Sequence, residues 1–184
     1  MSSVAPRVVR LETARLELRL FRSEDEEPFA AMNADPEVMR YVGDGRPHDR
    51  ARAAVTFERM RWHWAEHGFG RWAVERASDG AFLGFCGVGF PTFVPEAATR
   101  PEIGWRLPRE FWGQGYATEA AIAARDHFFR TFTWLELISL SQAGNVASHR
   151  VMRKIGMRRV DDLVTTASGV LVVHQLDCAD WRAA

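Results

Sequence analysis

No stretch of the 184-residue chain reaches the run of about eighteen apolar residues that a membrane span needs, and Met1–Arg10 lacks the apolar core of a secretory signal. The protein is expected to stay in the cytosol. Cysteine is scarce: Cys86 and Cys178 lie far apart and neither belongs to a C-x-x-C pair, which leaves two ordinary reduced thiols. An excess of either charge is missing too, because 24 Lys and Arg balance 24 Asp and Glu. Nothing in that balance points to a nucleic acid or an anionic membrane as partner. Repeats and low-complexity linkers are absent, so 184 residues with 47% hydrophobic and 26% charged content read as one domain, 1–184, with a sizeable core.

The stretch Pro101–Arg130 organises the rest. Glu102 to Leu107 has the aromatic and branched content of a short strand, and Pro108 stops it because proline cannot donate to a ladder. Gly113 and Gly115 let the backbone approach a ligand, and the alanine-rich segment from Tyr116 is a strong helix former. The first turn of a helix leaves about four N–H groups without partners at the positive end of the dipole, a place suited to phosphate. The loop lacks the Lys-Ser/Thr pair of a nucleoside-triphosphate loop, since Tyr116 and Ala117 follow Gly115. A dinucleotide fingerprint would need a third glycine where Thr118 stands and a turn at the strand's end, where Pro108–Trp112 intervene; Glu136 is its one supporting acid. Two glycines also make a plain strand-to-helix turn, and the rest of the chain must decide.

Leu11–Phe21 alternates Leu16, Leu18 and Leu20 against Glu17 and Arg19, the pattern of a half-buried strand. Ser23 and Glu26 have capping-box spacing ahead of a short helix that Asn33, Asp35 and Pro36 close, and Glu37–Tyr41 offers another turn. Asp49–Glu66 is predicted to be an amphipathic helix. Strands follow at Arg71–Arg76 and Ala81–Phe90 around the Asp79-Gly80 hairpin signal, the second nearly all apolar, as a strand covered on both faces would be. After the cradle helix come a strand at Trp134–Ser141, a helix at Ala147–Ile155 and a final strand pair at Met157–Val164 and Val170–Leu176. The order β-α-α-β-β-β-α-β-α-β-β predicts an α/β (α+β) fold around one mixed, mainly antiparallel sheet flanked by helices.

WGQGYATEA after EIGWRL, followed by GNVASHRVMRKIGM, resembles the GCN5-related N-acetyltransferases, particularly the branch of the ribosomal-protein N-terminal acetyltransferases. The opening LETARLELRLF and NADPEVMRYVG blocks are similar to that branch as well, so the likeness runs from about Val9 to Asp177. It implies acetyl-coenzyme A as cofactor and a primary amine as acceptor, with a homodimer among the states open to relatives. By resemblance, the pantetheine arm lies along the backbone of Trp105, Arg106 and Leu107, and the amides of Gly113, Gln114, Gly115, Tyr116 and Ala117 hold the pyrophosphate. Trp112 stands where the wider family has Gln or Arg.

Acetyl transfer from a thioester needs a deprotonated amine, a stabilised oxyanion and a proton for the leaving thiolate. The family often takes its base from the strand that enters the cradle, here Glu102, whose plain alternative is an ion pair with Arg100 or Arg106; Glu58 and Glu66 are substitutes. Asn145, Ser148 and Met152 share one helix face. Asn145 reads as the helix cap and, by resemblance, touches the pantetheine or acceptor. The family's usual donor is a tyrosine at the position of Met152, and methionine cannot donate, so Ser148 takes that role or the thiolate leaves unaided. Arg150 and Lys154 could meet the nucleotide phosphate, or form a solvated face. Tyr41, Trp62, Trp64 and Phe90 are candidates for the acceptor's wall, although aromatics at helical spacing are commonly core. Two competing readings stand beside this one. His63-Trp64-Ala65-Glu66-His67 matches the H-x-x-E-H pattern of zinc peptidases, without a marked third ligand. The missing tyrosine also admits a sensor that binds acetyl-coenzyme A without turnover.

Overall fold

The computed structural model describes residues 10–166 and 169–183. Among them, eight strands form one sheet, β1 (Leu11–Glu12), β2 (Leu16–Arg19), β3 (Arg71–Arg76), β4 (Phe82–Gly89), β5 (Glu102–Arg106), β6 (Glu136–Gln142), β7 (Arg158–Thr166) and β8 (Gly169–Asp177), in spatial order β1-β2-β3-β4-β5-β6-β8-β7. Every neighbouring pair is antiparallel except β5 with β6, so the mixed, mainly antiparallel sheet matches expectation. The helices are α1 (Glu26–Ala34), α2 (Pro36–Met39), α3 (Arg50–His67), α4 (Tyr116–Thr131), α5 (Val146–Lys154) and α6 (Cys178–Ala183).

Three local features differ from the sequence reading, each for a visible reason. The expected first strand is split, because Thr13 turns the chain with its N–H on the Leu16 carbonyl at 2.9 Å. The Ser23–Glu26 capping box does not form. Asp25 instead accepts the Arg22 N–H at 2.7 Å and both terminal nitrogens of buried Arg19, so a single 3-10 turn fills Ser23–Asp25 and α1 starts at Glu26 rather than at Glu24, where a Ser23 cap would place it. The terminal helix α6 lies past the last expected strand; Trp181 stacks on Phe129 at 5.3 Å and donates to Asp126.

The two faces of the sheet carry different layers. Alternation sends Trp72, Val74 and Ile103 toward α4, where they meet Ala120, Ala121 and Phe128. It sends Ala73 and Phe85 to the opposite face, against Phe29 and Met32 of α1 and Phe57 of α3. Each fully buried Leu or Phe of these layers contributes about 1.5–3 kcal/mol. β4 is covered on both faces, as its continuous apolar run predicts. At Gly87 a Cβ would lie 2.4 Å from the Gly70 carbonyl oxygen, so only glycine lets β3 and β4 approach this closely. Cys86 and Cys178 are buried and free.

Candidate active site

The site grows out of the one parallel pair. β5 and β6 share a single register partner among the described residues, Glu102 with Ile138, and the Ile138 N–H bonds the Pro101 carbonyl at 2.9 Å. Beyond that point no register pair joins the two strands among the described residues, and the Leu140 N–H goes to the Glu102 carboxylate rather than to the β5 backbone, so the strands part in a wedge. Because backbone groups alternate sides along a strand, Ile103, Trp105 and Leu107 turn theirs into the wedge, whereas Arg106 turns its carbonyl toward β4, where a Cβ on Gly84 would lie 2.1 Å from it. Arg106 is thus corrected: its backbone is spent on the sheet, and its side chain matters instead. The carbonyl of Leu107 is partly claimed, because the Trp112 indole donates to it at 2.7 Å. The departure at Trp112 therefore braces the loop onto the strand end.

Past Trp112 the chain enters α4 through two glycines with φ of +75° and +85°, Gly113 and Gly115. Gly115 is the N-cap residue, and α4 runs for 16 residues, so its first amides and its dipole point at the loop. Behind the loop stands a clamp that sequence reasoning missed. Arg15 donates to the Gln114 carbonyl at 3.0 Å and to Glu119 at 2.7 Å, and its guanidinium lies 4.5 Å from the centre of the buried Tyr116 ring. Thr13 adds a bond to Glu119 at 2.6 Å. No motif marks Arg15, since it acts through three-dimensional contacts only.

Across the wedge, Asn145 caps α5 by accepting the Ser148 N–H at 3.2 Å, and both residues remain partly exposed. Met152 is 1% exposed and belongs to the core, so it presents nothing to a ligand. Arg150 and Lys154 are solvent-exposed. A cavity of about 540 Å³ opens by α5 beside His149, Arg153 and His174, next to β7 and β8 rather than at the wedge.

On the face opposite α4, Glu102 lies at the closed end of the wedge, 5% exposed. Its partner is neither Arg100 nor Arg106. The Arg71 guanidinium bonds it at 2.8 Å, while Arg100 pairs with Glu136, which accounts for that acid without a ribose. Burial pushes the Glu102 carboxyl above its ordinary value, against the pull of Arg71 and of the Leu140 amide. Its proton affinity is raised, as a general base at neutral pH requires. Glu58 pairs with Arg61 on the surface, and Glu66 is exposed.

The aromatic candidates separate. Tyr41 reaches over Gly144 at the turn between β6 and α5, where a Cβ would come within 3.0 Å of its ring. Trp64 is 4% exposed, packs 4.9 Å from Trp72 and donates to the Arg71 carbonyl, so it is core rather than wall. Phe90 sits in a cluster with Phe69, Trp134 and His67 and is likewise a packing residue. Trp62 is an exposed surface side chain.

The zinc reading fails on His63 itself. Its Nδ1 donates to the Phe69 carbonyl at 2.8 Å and its Nε2 accepts the Phe90 N–H at 3.2 Å, so both ring nitrogens are committed to backbone. Burial pushes this imidazole down to about 4. In the unfolded chain it protonates near 6.5, so its stabilising effect is complete above that value and is lost as pH falls toward 4. Urea unfolding at pH 7 and pH 4.5 should show roughly 2–3 kcal/mol less stability at the lower pH from this group alone. His63→Asn should shrink that difference, and an unchanged acid sensitivity would contradict the assignment.

Comparison with known proteins agrees with this geometry. The family profile described as acetyltransferase (GNAT) domain matches residues 15–158. YkkB of Bacillus subtilis is 36% identical over 151 residues, covering 80% of this chain and 84% of its own. The FsC-acetyl coenzyme A-N(2)-transacetylase of Aspergillus fumigatus is 35% identical over 157 residues, covering 82% of this chain and 66% of its own, so the chain spans just under two thirds of that relative. An acetyltransferase structure from Agrobacterium tumefaciens superposes with a TM-score of 0.80 at 27% identity over 96% of this chain and 98% of its own. The ribosomal-protein-S5-alanine acetyltransferase of Vibrio fischeri shares the fold, with a TM-score of 0.69 at 16% identity over 94% of this chain and 98% of its own. The chain belongs to the GNAT family of N-acetyltransferases.

Proposed function

We propose that residues 1–184 form a single cytoplasmic N-acetyltransferase domain that moves the acetyl group of acetyl-coenzyme A to a primary amine by direct attack in a ternary complex. The observation that carries this reading is the wedge between β5 and β6, with a buried carboxylate at its closed end and a helix N-terminus beside its mouth. Amides of Gly113, Gln114, Gly115, Tyr116 and Ala117 would hold the pyrophosphate. Backbone groups of Trp105 and the Leu107 N–H would pair with the pantetheine arm. The acceptor would enter from the face of α1 to α3, past Tyr41.

In the chemical step the amine nitrogen bonds the thioester carbon and the C–S bond breaks. Glu102 takes the proton that the amine sheds, directly or through water. Asn145 holds the acetyl donor, and the Ser148 hydroxyl returns a proton to the sulfur. The buried Met152 makes a non-catalytic acetyl-coenzyme A sensor the competing reading. Thiol release on mixing protein, acetyl-coenzyme A and amines separates the two. Turnover is expected, with Ser148→Ala lowering kcat by roughly 10–100-fold while the affinity for acetyl-coenzyme A stays within about twofold. Binding without release by the unaltered chain would establish the sensor, and an unchanged kcat in Ser148→Ala would remove Ser148 from the mechanism.

A further inference from the structure

The acceptor face of the wedge carries more positive charge than the fold uses. Arg71 lies flat on a floor of glycines: a Cβ on Gly104 would come within 3.4 Å of its Nη2, and one on Gly89 within 3.6 Å of its Nη1. Arg106 projects to the same face, because its register partner Phe85 belongs to the layer under α1 and α3. Both guanidiniums stand over the Phe85 ring, 6.0 Å and 5.3 Å from its centre. Arg59 of α3 completes the group from the exposed rim, close enough to lower the proton affinity of Arg106.

Against these three cations stands one carboxylate, Glu102, ion-paired with Arg71 and further held by the Leu140 amide. Arg106 has the neutral Asn33 amide oxygen, and among the described residues Arg59 has no ion pair. The Nε of Arg71 is buried with no hydrogen-bond partner, and so is the nearby Nδ1 of His48. A buried donor without an acceptor is costly and rare. The same protein shows how it treats a purely structural arginine. Buried Arg19 donates to Glu75 and to both oxygens of Asp25, at 2.7–2.8 Å, and Arg22 faces Glu75 from 3.8 Å, so two cations meet two carboxylates. The cluster on the wedge is built differently.

We infer that this face selects an acetyl acceptor whose amine lies close to a carboxylate, as in a free α-amino acid, the carboxylate being received by Arg71 and Arg106 with Arg59 at the mouth. The inference rests on the acetyl-transfer reading and deepens it. The amine must reach Glu102, and Glu102 is itself bonded to Arg71, so the amino and anionic groups of the acceptor stand within a few bonds of each other. The same charge repels polyamines and aminoglycosides, whose amines bring further cations with them. Burial lowers Arg106 first, and the neighbouring guanidiniums lower it further, so an anion there relieves a repulsion already present.

The test uses the intact chain in a thiol-release assay. Its arms are L-α-amino acids, their carboxamides, an uncharged tetrapeptide amide, O-phosphoethanolamine, spermidine and kanamycin. A charge-assisted pair is expected to raise kcat/KM for an acid about 10–100-fold above its carboxamide. Arg106→Gln should narrow that ratio at least tenfold. Arg106 also braces Asn33, so Arg59→Gln at the exposed rim serves as the second variant, with an expected narrowing of about threefold. Carboxamides, the peptide or spermidine equalling the acids would overturn the inference, and preference for O-phosphoethanolamine would overturn the carboxylate assignment. Should no amine turn over, thermal stabilisation of the coenzyme A-loaded protein decides: a larger shift with the acids than with the carboxamides supports the inference, and equal shifts sink it. Calorimetry with coenzyme A runs in parallel. Failure there ends the acetyl-transfer reading itself, whereas coenzyme A binding without acid preference ends only this inference.

Discussion

Replacing Gly115 by valine is expected to weaken acetyl-coenzyme A binding about 100-fold, roughly 2.7 kcal/mol, while the sheet stays folded. Gly115 has φ +85°, a conformation that costs a residue with a Cβ about 1–2 kcal/mol and a branched one more. Its Cβ would also press on the Arg15 guanidinium at 3.3 Å, the group that pins the Gln114 carbonyl and faces the Tyr116 ring. Relief of that strain has to move the amides ahead of α4, and those amides are the proposed pyrophosphate ligands. Gly113→Ala is the companion measurement. Its φ is +75° but nothing lies within 4 Å of the added carbon, so it reports backbone strain without the push on Arg15. Calorimetric titration of both variants, with circular dichroism as the check on folding, gives the comparison. A folded Gly115→Val protein that binds as the parent does would refute the cradle.

The second large effect is on rate. Glu102→Gln should lower kcat/KM by about 10²–10⁴-fold, the usual contribution of a positioned base. It should also remove a limb of the pH profile. The carboxylate must be deprotonated to accept the amine's proton, and burial raises its pKa, so in the parent the rate climbs with pH through a range displaced above that of an ordinary carboxylate. The limb belonging to the acceptor amine itself would persist in the variant. Because the change leaves Arg71 beside a neutral amide, a melting curve must accompany the kinetics. A folded variant retaining the parent's rate and acid limb would show that Glu102 serves only to hold Arg71.

Much of this arrangement was legible in the sequence because it rests on local rules. Branched, aromatic and continuous apolar runs marked β4, β5 and β6, Asn145 announced its own cap, and the spacing of Gly113, Gly115 and the alanines marked the start of α4. What escaped depends on contacts between distant segments. Asp25, anchored in a buried ion pair with Arg19 six residues away, accepts the Arg22 N–H and displaces the Ser23–Glu26 box. Glu102 pairs with Arg71, thirty-one residues earlier, rather than with its sequence neighbours. The charged cluster did leave a trace. Arg71 and Arg106 occupy strand positions whose partners, such as Phe85, face an apolar layer, and a cation in that phase is out of place unless something meets it. Trp64 and Phe90 illustrate the converse, since periodicity cannot tell an aromatic lining a pocket from one filling the core.

The most direct test of the account is a crystal structure of the chain with coenzyme A. The pyrophosphate is expected on the amides of residues 113–117, and the pantetheine arm between β5 and β6, hydrogen-bonded to the Trp105 backbone. A cofactor found instead in the cavity beside His149 and His174, with the wedge closed by protein atoms, would contradict it.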